Sequence, residues 1–351
     1  MNTKLDGDLK KIDNFLKQRD VVLQKRKEGD FSLDSLESVQ KILLINPDVA
    51  TFWAFIKEIY EHYEATSPGI EKLIEIYKKD RAHVEKCMGI HPKSYYIWYH
   101  RRWTSERTPQ MDWKKELKLC NYLLTLDKRN FHCWNYRRFV VSQLKLSLKE
   151  ELDFTTFKIE ENFSNYSAWH NRSTIVTTFK RSKENKNVKE NEKEKENEKE
   201  KENENENEKT EEQKEKQEKE EKKKINDEEF TFKFQEEFEF VQNALYVDPE
   251  DQSTWIYLQW LISQSSNEGK LERINTTIQV VEELLGIEPK SKWGNLTLVF
   301  LLREKANKVD DEDKQSNLRN HAKEIINKLI KLDPRHTNFY NDFANSNKSF
   351  L

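Results

Sequence analysis

Five of the nine tryptophans, Trp53, Trp98, Trp134, Trp169 and Trp255, sit inside near-copies of one sequence pattern. Trp98, Trp134 and Trp169 are 36 and 35 residues apart, the length of one helix pair in a repeat protein. The last gap, 86 residues, falls to 44 once a compositionally biased stretch of 42 residues (183–224) is set aside. That is close to the 45 residues between Trp53 and Trp98. A helix pair of this size cannot bury its own apolar face, so successive pairs must stack. The period thus points to a curved superhelix of stacked helical hairpins, and a right-handed one is the fold expected. No run of alternating apolar residues signals strands, and the expected class is all-α.

The copies read Asn46-Pro-Asp-Val-Ala-Thr-Phe-Trp53, Pro92-Lys-Ser-Tyr-Tyr-Ile-Trp-Tyr-His-Arg-Arg102 and Arg129-Asn-Phe-His-Cys-Trp-Asn-Tyr-Arg-Arg138. Phe163-Ser-Asn-Tyr-Ser-Ala-Trp-His-Asn-Arg172 and Asp248-Pro-Glu-Asp-Gln-Ser-Thr-Trp255 follow. Glu288-Pro-Lys-Ser-Lys-Trp293 and Asp333-Pro-Arg-His-Thr-Asn-Phe-Tyr340 are degenerate sixth and seventh copies, the last a cap. Ser94, Asn130, Asn165 and Asp251 lie four residues before their tryptophans, and all are good N-cap residues. A helix is expected to start at each, with the indole at the end of its first turn. Pro47, Pro92 and Pro249, six before the Trp, discourage the preceding helix from continuing. Arg101/Arg102, Arg137/Arg138 and Arg172 follow at three or four residues, on the indole's face, where stacking is expected. Before each cap runs a helical apolar pattern, as in 116–127, 151–162 and 237–248. Two copies depart from the pattern: Ile56 and Lys57 replace the Arg pair of the first, and Gln259 stands for Arg in the fifth.

Apart from Val188, residues 183–224 are only Lys, Glu, Asn, Gln and Thr. Such a segment has nothing to bury against the entropy of ordering it, and a disordered insert is expected. The expected organisation is therefore helical repeats over 1–182, the insert over 183–224, and the same repeat domain resuming over 225–351. Removing the insert's 14 Lys and 17 Glu from the chain's 61 basic and 64 acidic residues leaves 47 of each. A balanced remainder carries no footprint for nucleic acid. Cys87, Cys120 and Cys133 show neither disulfide nor metal spacing, which fits a reducing compartment. The start lacks a signal core, and the longest apolar run, Leu298–Leu302, is too short to span a bilayer. A cytoplasmic protein without a transmembrane segment is expected.

The Pro-x-Asn/Ser-x-x-x-Trp-x-x-Arg-Arg pattern resembles the α-subunit repeat of protein prenyltransferases. The Gly and Ala positions of tetratricopeptide repeats are missing. Asn130–Phe139, Asn162–His170 and Asp248–Trp255 further resemble the α subunits of the type II, Rab-directed geranylgeranyltransferases. The resemblance runs from about Val21 to Leu261 without the insert. It implies a transferase active only as a heterodimer with a β subunit, moving geranylgeranyl from geranylgeranyl diphosphate to C-terminal cysteines of Rab GTPases presented by an escort protein. It places zinc in the β subunit, and no cofactor is expected on this chain. It also implies that Lys93, beside the Ser94 cap, stabilises the departing diphosphate, with Tyr95, Asn130 and His132 on the same edge. Helix N-termini favour phosphate through free N–H groups and the helix dipole. A farnesyltransferase or type I α subunit, and a non-catalytic peptide-binding scaffold, are the alternatives.

Overall fold

The computed structural model describes residues 2–66, 69–178, 234–265 and 269–346. These form fifteen α-helices and one 3-10 turn, with no strand among the described residues. The expected insert, 183–224, lies outside them.

The helices fall into two compact units, Met1–Lys145 and Leu146–Leu351. In the first, α1 (Asn2–Glu28) packs on α2 (Leu33–Ile45) and is followed by three pairs. These are α2 with α3 (Ala50–Ala65), α4 (Ile70–Ile90) with α5 (Tyr95–Arg107), and α6 (Trp113–Leu126) with α7 (Phe131–Leu144). The second unit holds α8 (Leu148–Glu160) with α9, described over 166–178, and α10 (Phe234–Val247) with α11 (Gln252–Gln264). It continues with α12 (Lys270–Ile287) and α13 (Lys292–Ala306), then α14 (Glu312–Leu332), the 3-10 turn Pro334–His336 and α15 (Thr337–Ser346). Each of the seven sequence copies thus corresponds to one helix pair. In the first unit α3 packs on α5 and α5 on α7; in the second α11 packs on α13. Within each unit, these second helices of neighbouring pairs therefore pack side by side.

The repeat tryptophans are buried, and each still satisfies its indole N–H. Trp53 Nε1 donates to the Pro47 carbonyl at 2.7 Å, Trp98 to Pro92 at 2.8 Å and Trp134 to Lys128 at 3.0 Å. Trp169 donates to Phe163 at 2.8 Å and Trp255 to Pro249 at 2.7 Å. The indole fills the core between helices while tying its own helix back to the turn six residues earlier. A buried N–H without an acceptor would cost about 1–3 kcal/mol, so the turn carbonyl is as much part of the motif as the ring. In the sixth pair the aligned residue is not Trp293 but Asn295, whose Nδ2 donates to the Pro289 carbonyl, again six residues back, at 3.3 Å. The tie survives there without the ring.

The arginines behave differently from the expected stacking. Arg101, three past Trp98, is almost fully buried and points at Glu116 on the first turn of α6, with Nε–Oε1 at 2.5 Å and Nη2–Oε2 at 2.9 Å. Tyr136, on α7, donates its hydroxyl to the same carboxylate at 2.9 Å. The second unit repeats the arrangement: Arg172 meets Glu237 at 2.6 and 2.7 Å, and Tyr257 donates to Glu237 at 2.6 Å. A forked guanidinium gains more from a bidentate buried carboxylate than from an aromatic face. Each such lock joins three of the described helices. The first copy, with buried Ile56 in the Arg position, uses a variant: buried Asp80 accepts from Tyr60 at 2.9 Å and pairs with His100 Nε2 at 3.0 Å. Burial alone would push the Asp80 carboxyl up, but the charge and hydrogen bond of His100, with the Tyr60 hydroxyl, hold it below the usual aspartate range. In the fifth copy Leu258 takes the lock position, and Gln259, aligned with Arg102, donates to Thr297 Oγ1 at 2.9 Å.

Candidate functional site

Lys93, Tyr95, Asn130 and His132 converge where α5 and α7 begin. Asn130 caps α7, its Oδ1 accepting from the N–H groups of His132 and Cys133 at 3.1 and 3.2 Å. Its Nδ2 donates to the Pro92 carbonyl at 3.0 Å, the oxygen that also receives Trp98 Nε1. The Pro92–Lys93 turn is therefore pinned from two helices. The same cross-repeat bond recurs in the second unit, where Ser291 Oγ donates to the Pro249 carbonyl at 3.2 Å.

Ser94 stands in the N-cap position of α5 but does not cap it. Its hydroxyl donates to Asp48 Oδ1 at 2.6 Å. Turned toward that carboxylate, the Ser94 oxygen takes no hydrogen bond from the first turn of the helix. The first-turn N–H groups of α5 consequently have no side-chain acceptor, whereas those of α7 and α11 do. An uncapped N-terminus retains the positive end of the helix dipole for an external anion.

Lys93 lies at this open end, 73% exposed, with its ammonium 3.5 Å from Asp127 Oδ2. Tyr95 is also exposed, and its ring meets His132 edge-on at 4.3 Å between centroids. Phe131, half exposed, is 3.9 Å from the His132 ring between centroids, and Trp98 lies near-parallel to it at 6.5 Å. Enclosed by three aromatic rings, His132 is buried, and burial pushes its pKa below the ordinary histidine value, opposed by a hydrogen bond with the Lys93 backbone. The imidazole is thus neutral near pH 7, and its Nε2 has no partner among the described residues. The neighbouring Cys133 is buried, and its thiol donates to the Cys120 carbonyl at 3.4 Å. It serves packing.

The edge combines an exposed ammonium, an open helix N-terminus, a neutral buried histidine and exposed aromatic surface. That set can bind an anionic headgroup joined to an apolar body. Among the described residues no group of three His, Cys, Asp or Glu side chains is placed to hold a metal ion, and all three cysteines are buried thiols. No described helix is long and apolar enough to cross a membrane. Two residues that shape this edge, Asp48 and Asp127, were not singled out in the sequence. Aligning the copies would have flagged Asp127, because it falls seven before the Trp, where Asn46, Asn162 and Asp248 also stand.

Four stretches, 77–108, 113–144, 148–179 and 234–265, match the model of the protein prenyltransferase alpha subunit repeat. They coincide with the second to fifth helix pairs. The Dictyostelium discoideum geranylgeranyl transferase type-2 subunit alpha is 33% identical over 321 residues, covering 91% of this chain and 86% of that protein. The chain belongs to the protein prenyltransferase alpha subunit family. A Pongo abelii protein of the same name is 33% identical over 281 residues, 80% of this chain, but the chain spans only 43% of its length. The other mammalian relatives are likewise more than twice as long as the matched region. Among solved structures, the Candida albicans protein geranylgeranyltransferase-I complexed with GGPP shares the fold, with a TM-score of 0.63 at 17% identity over 95% of this chain and 90% of that one. Family membership explains why the locks and indole ties recur.

Proposed function

We propose that this chain is the α subunit of a heterodimeric Rab geranylgeranyltransferase. In this reading it braces a β subunit and helps transfer geranylgeranyl from geranylgeranyl diphosphate to C-terminal cysteines of Rab GTPases brought by an escort protein, in the cytoplasm. The name shared by relatives that match most of this chain supports the type II assignment. The observation that carries the chemistry is Lys93 beside an α5 N-terminus whose cap hydroxyl is diverted to Asp48.

In the transfer, the bond from the isoprenoid's first carbon to the diphosphate oxygen breaks as the cysteine sulfur attacks. Negative charge accumulates on the departing diphosphate. The Lys93 ammonium and the first-turn N–H groups of α5 face that charge, and a preorganised group of this kind typically contributes about 10²–10³ in rate. Asn130 holds the Lys93 turn by its Pro92 carbonyl. His132 and Tyr95 provide the apolar flank and a neutral polar edge. Zinc, which this reading assigns to the β subunit, would hold the substrate cysteine as its thiolate.

The test is co-expression with a type II β chain, followed by transfer of a labelled geranylgeranyl group to a Rab in the presence of escort protein. Heterodimer formation and transfer are expected. Lys93→Ala should lower turnover by roughly 10²-fold or more while the heterodimer stays intact. Pairing only with a farnesyltransferase-type β chain would overturn the type II assignment. Unchanged turnover in Lys93→Ala would remove Lys93 from the chemistry, and a stable chain that joins neither β chain would favour the scaffold.

A further inference from the structure

In four of the copies the residue seven before the repeat tryptophan closes the turn ahead of the second helix. Its side-chain oxygen accepts the N–H two residues on: Asn46 from Asp48 at 3.0 Å, and Asp127 from Arg129 at 3.0 Å. Asn162 accepts from Ser164 at 3.1 Å, and Asp248 from Glu250 at 3.3 Å. Within this one chain, then, the neutral amide oxygen of Asn does the job as well as a carboxylate. The charge on Asp127 is surplus to the turn.

That surplus charge has one destination among the observed contacts. With Oδ1 fixed on the Arg129 N–H, Oδ2 faces the Lys93 ammonium at 3.5 Å. The aspartate is anchored at the C-terminal end of α6 while the lysine is long and exposed, so the carboxylate is the fixed member and the ammonium the moving one. We propose that Asp127 is a positioning residue that holds the Lys93 ammonium at the site edge when no diphosphate is bound and takes it back as diphosphate leaves. This inference rests on the reading of Lys93 as a diphosphate-binding group.

Asp127 therefore competes with the leaving group for one cation. At 3.5 Å, with the lysine 73% and the aspartate 34% exposed, the pair is close to the weak surface kind, which sets the scale of the competition at about two- to fivefold in an anion's affinity. The carboxylate weakens retention of the product by that factor and speeds its release, at no cost to the turn. A partner that simply braced Lys93 would instead strengthen anion binding.

The experiment measures product inhibition by inorganic pyrophosphate in the heterodimer with the β chain, for Asp127→Asn, Lys93→Ala and the double variant. Asp127→Asn is expected to tighten pyrophosphate inhibition about two- to fivefold, with KM for the prenyl diphosphate falling by a similar factor and kcat not rising. In the Lys93→Ala background the same substitution should have little effect, because the competed-for cation is gone. Weaker or unchanged inhibition in Asp127→Asn, with Lys93 present, would overturn the inference. An equal tightening in both backgrounds would also overturn it, since Asp127 would then act only as a repelling charge. If Lys93→Ala alone leaves pyrophosphate inhibition unaltered, the diphosphate role of Lys93 fails, and Asp127 loses its basis for that separate reason.

Discussion

Replacing Glu116 by Gln isolates the worth of one inter-repeat lock. The substitution keeps the volume of a side chain that is 3% exposed but removes the charge facing Arg101, itself 1% exposed. Burial by itself would push the Arg101 guanidinium down, but the Glu116 carboxylate, with its hydrogen bonds, more than offsets this and holds it above the ordinary arginine value. Gln can offer one oxygen where the carboxylate offered two. Its NH2 group would then face a guanidinium N–H, donor against donor. Removing one member of a buried pair typically costs about 3–5 kcal/mol. Arg101 keeps Glu85 at 2.9 Å and the Arg81 carbonyl at 2.7 Å, and Glu85 is 46% exposed, so the lower end applies, about 3 kcal/mol. Against a typical total of about 5–15 kcal/mol that is a large fraction. Urea unfolding followed by helical circular dichroism should show a lower midpoint at an unchanged slope. A companion variant, Arg101→Met with Glu116→Leu, removes both charges, while Tyr136 retains its 2.8 Å bond with Ser105. It should be less destabilised than Glu116→Gln alone, because no buried charge is left uncompensated. A loss under about 1 kcal/mol in Glu116→Gln, or a double variant worse than the single, would refute the view that the lock is held by charge pairing in a dry site.

The Asp80 variant of the lock makes an acid-sensitivity prediction. Its folded-state pKa is depressed below the ordinary 3.8, so its stabilisation is complete above that value and is lost as pH falls below it and the folded carboxyl protonates. Asp80→Asn should therefore flatten the acid limb of a stability–pH profile below about pH 4, and an unchanged limb would show that Asp80 contributes nothing there. Asn130→Ala removes the α7 cap and one of two donors to the Pro92 carbonyl; a stability loss of about 1–2 kcal/mol is expected in thermal or urea melts. It should also lower turnover through a loosened Lys93 turn, and full activity would show that the turn needs no second clamp.

Five of the seven helix pairs were legible because each carries an indole six residues past its turn carbonyl, and four of those five also carry a polar residue at the N-cap position, all of them local relations. The convergence of Lys93, Tyr95, Asn130 and His132 was legible as well, through the resemblance rather than through spacing. Three details were not. Ser94 reads as a cap, yet its hydroxyl is taken by Asp48, 46 residues away in sequence. Trp293 reads as the sixth indole, but the helix starts so that Asn295 occupies that register. Arg101 and Arg172 read as partners of their own indoles and instead reach Glu116 and Glu237 on the next helix.

By itself, the sequence determined the period, the helical class, the helix starts and the positions of the buried rings. Those follow from what a residue does to its own backbone within a turn or two, and that physics does not need the rest of the fold. Tertiary structure decided which acceptor each polar side chain takes. A buried guanidinium or hydroxyl goes to whichever carboxylate the neighbouring helix brings within about 3 Å, since desolvation makes that choice worth several kcal/mol and local sequence spacing cannot see it.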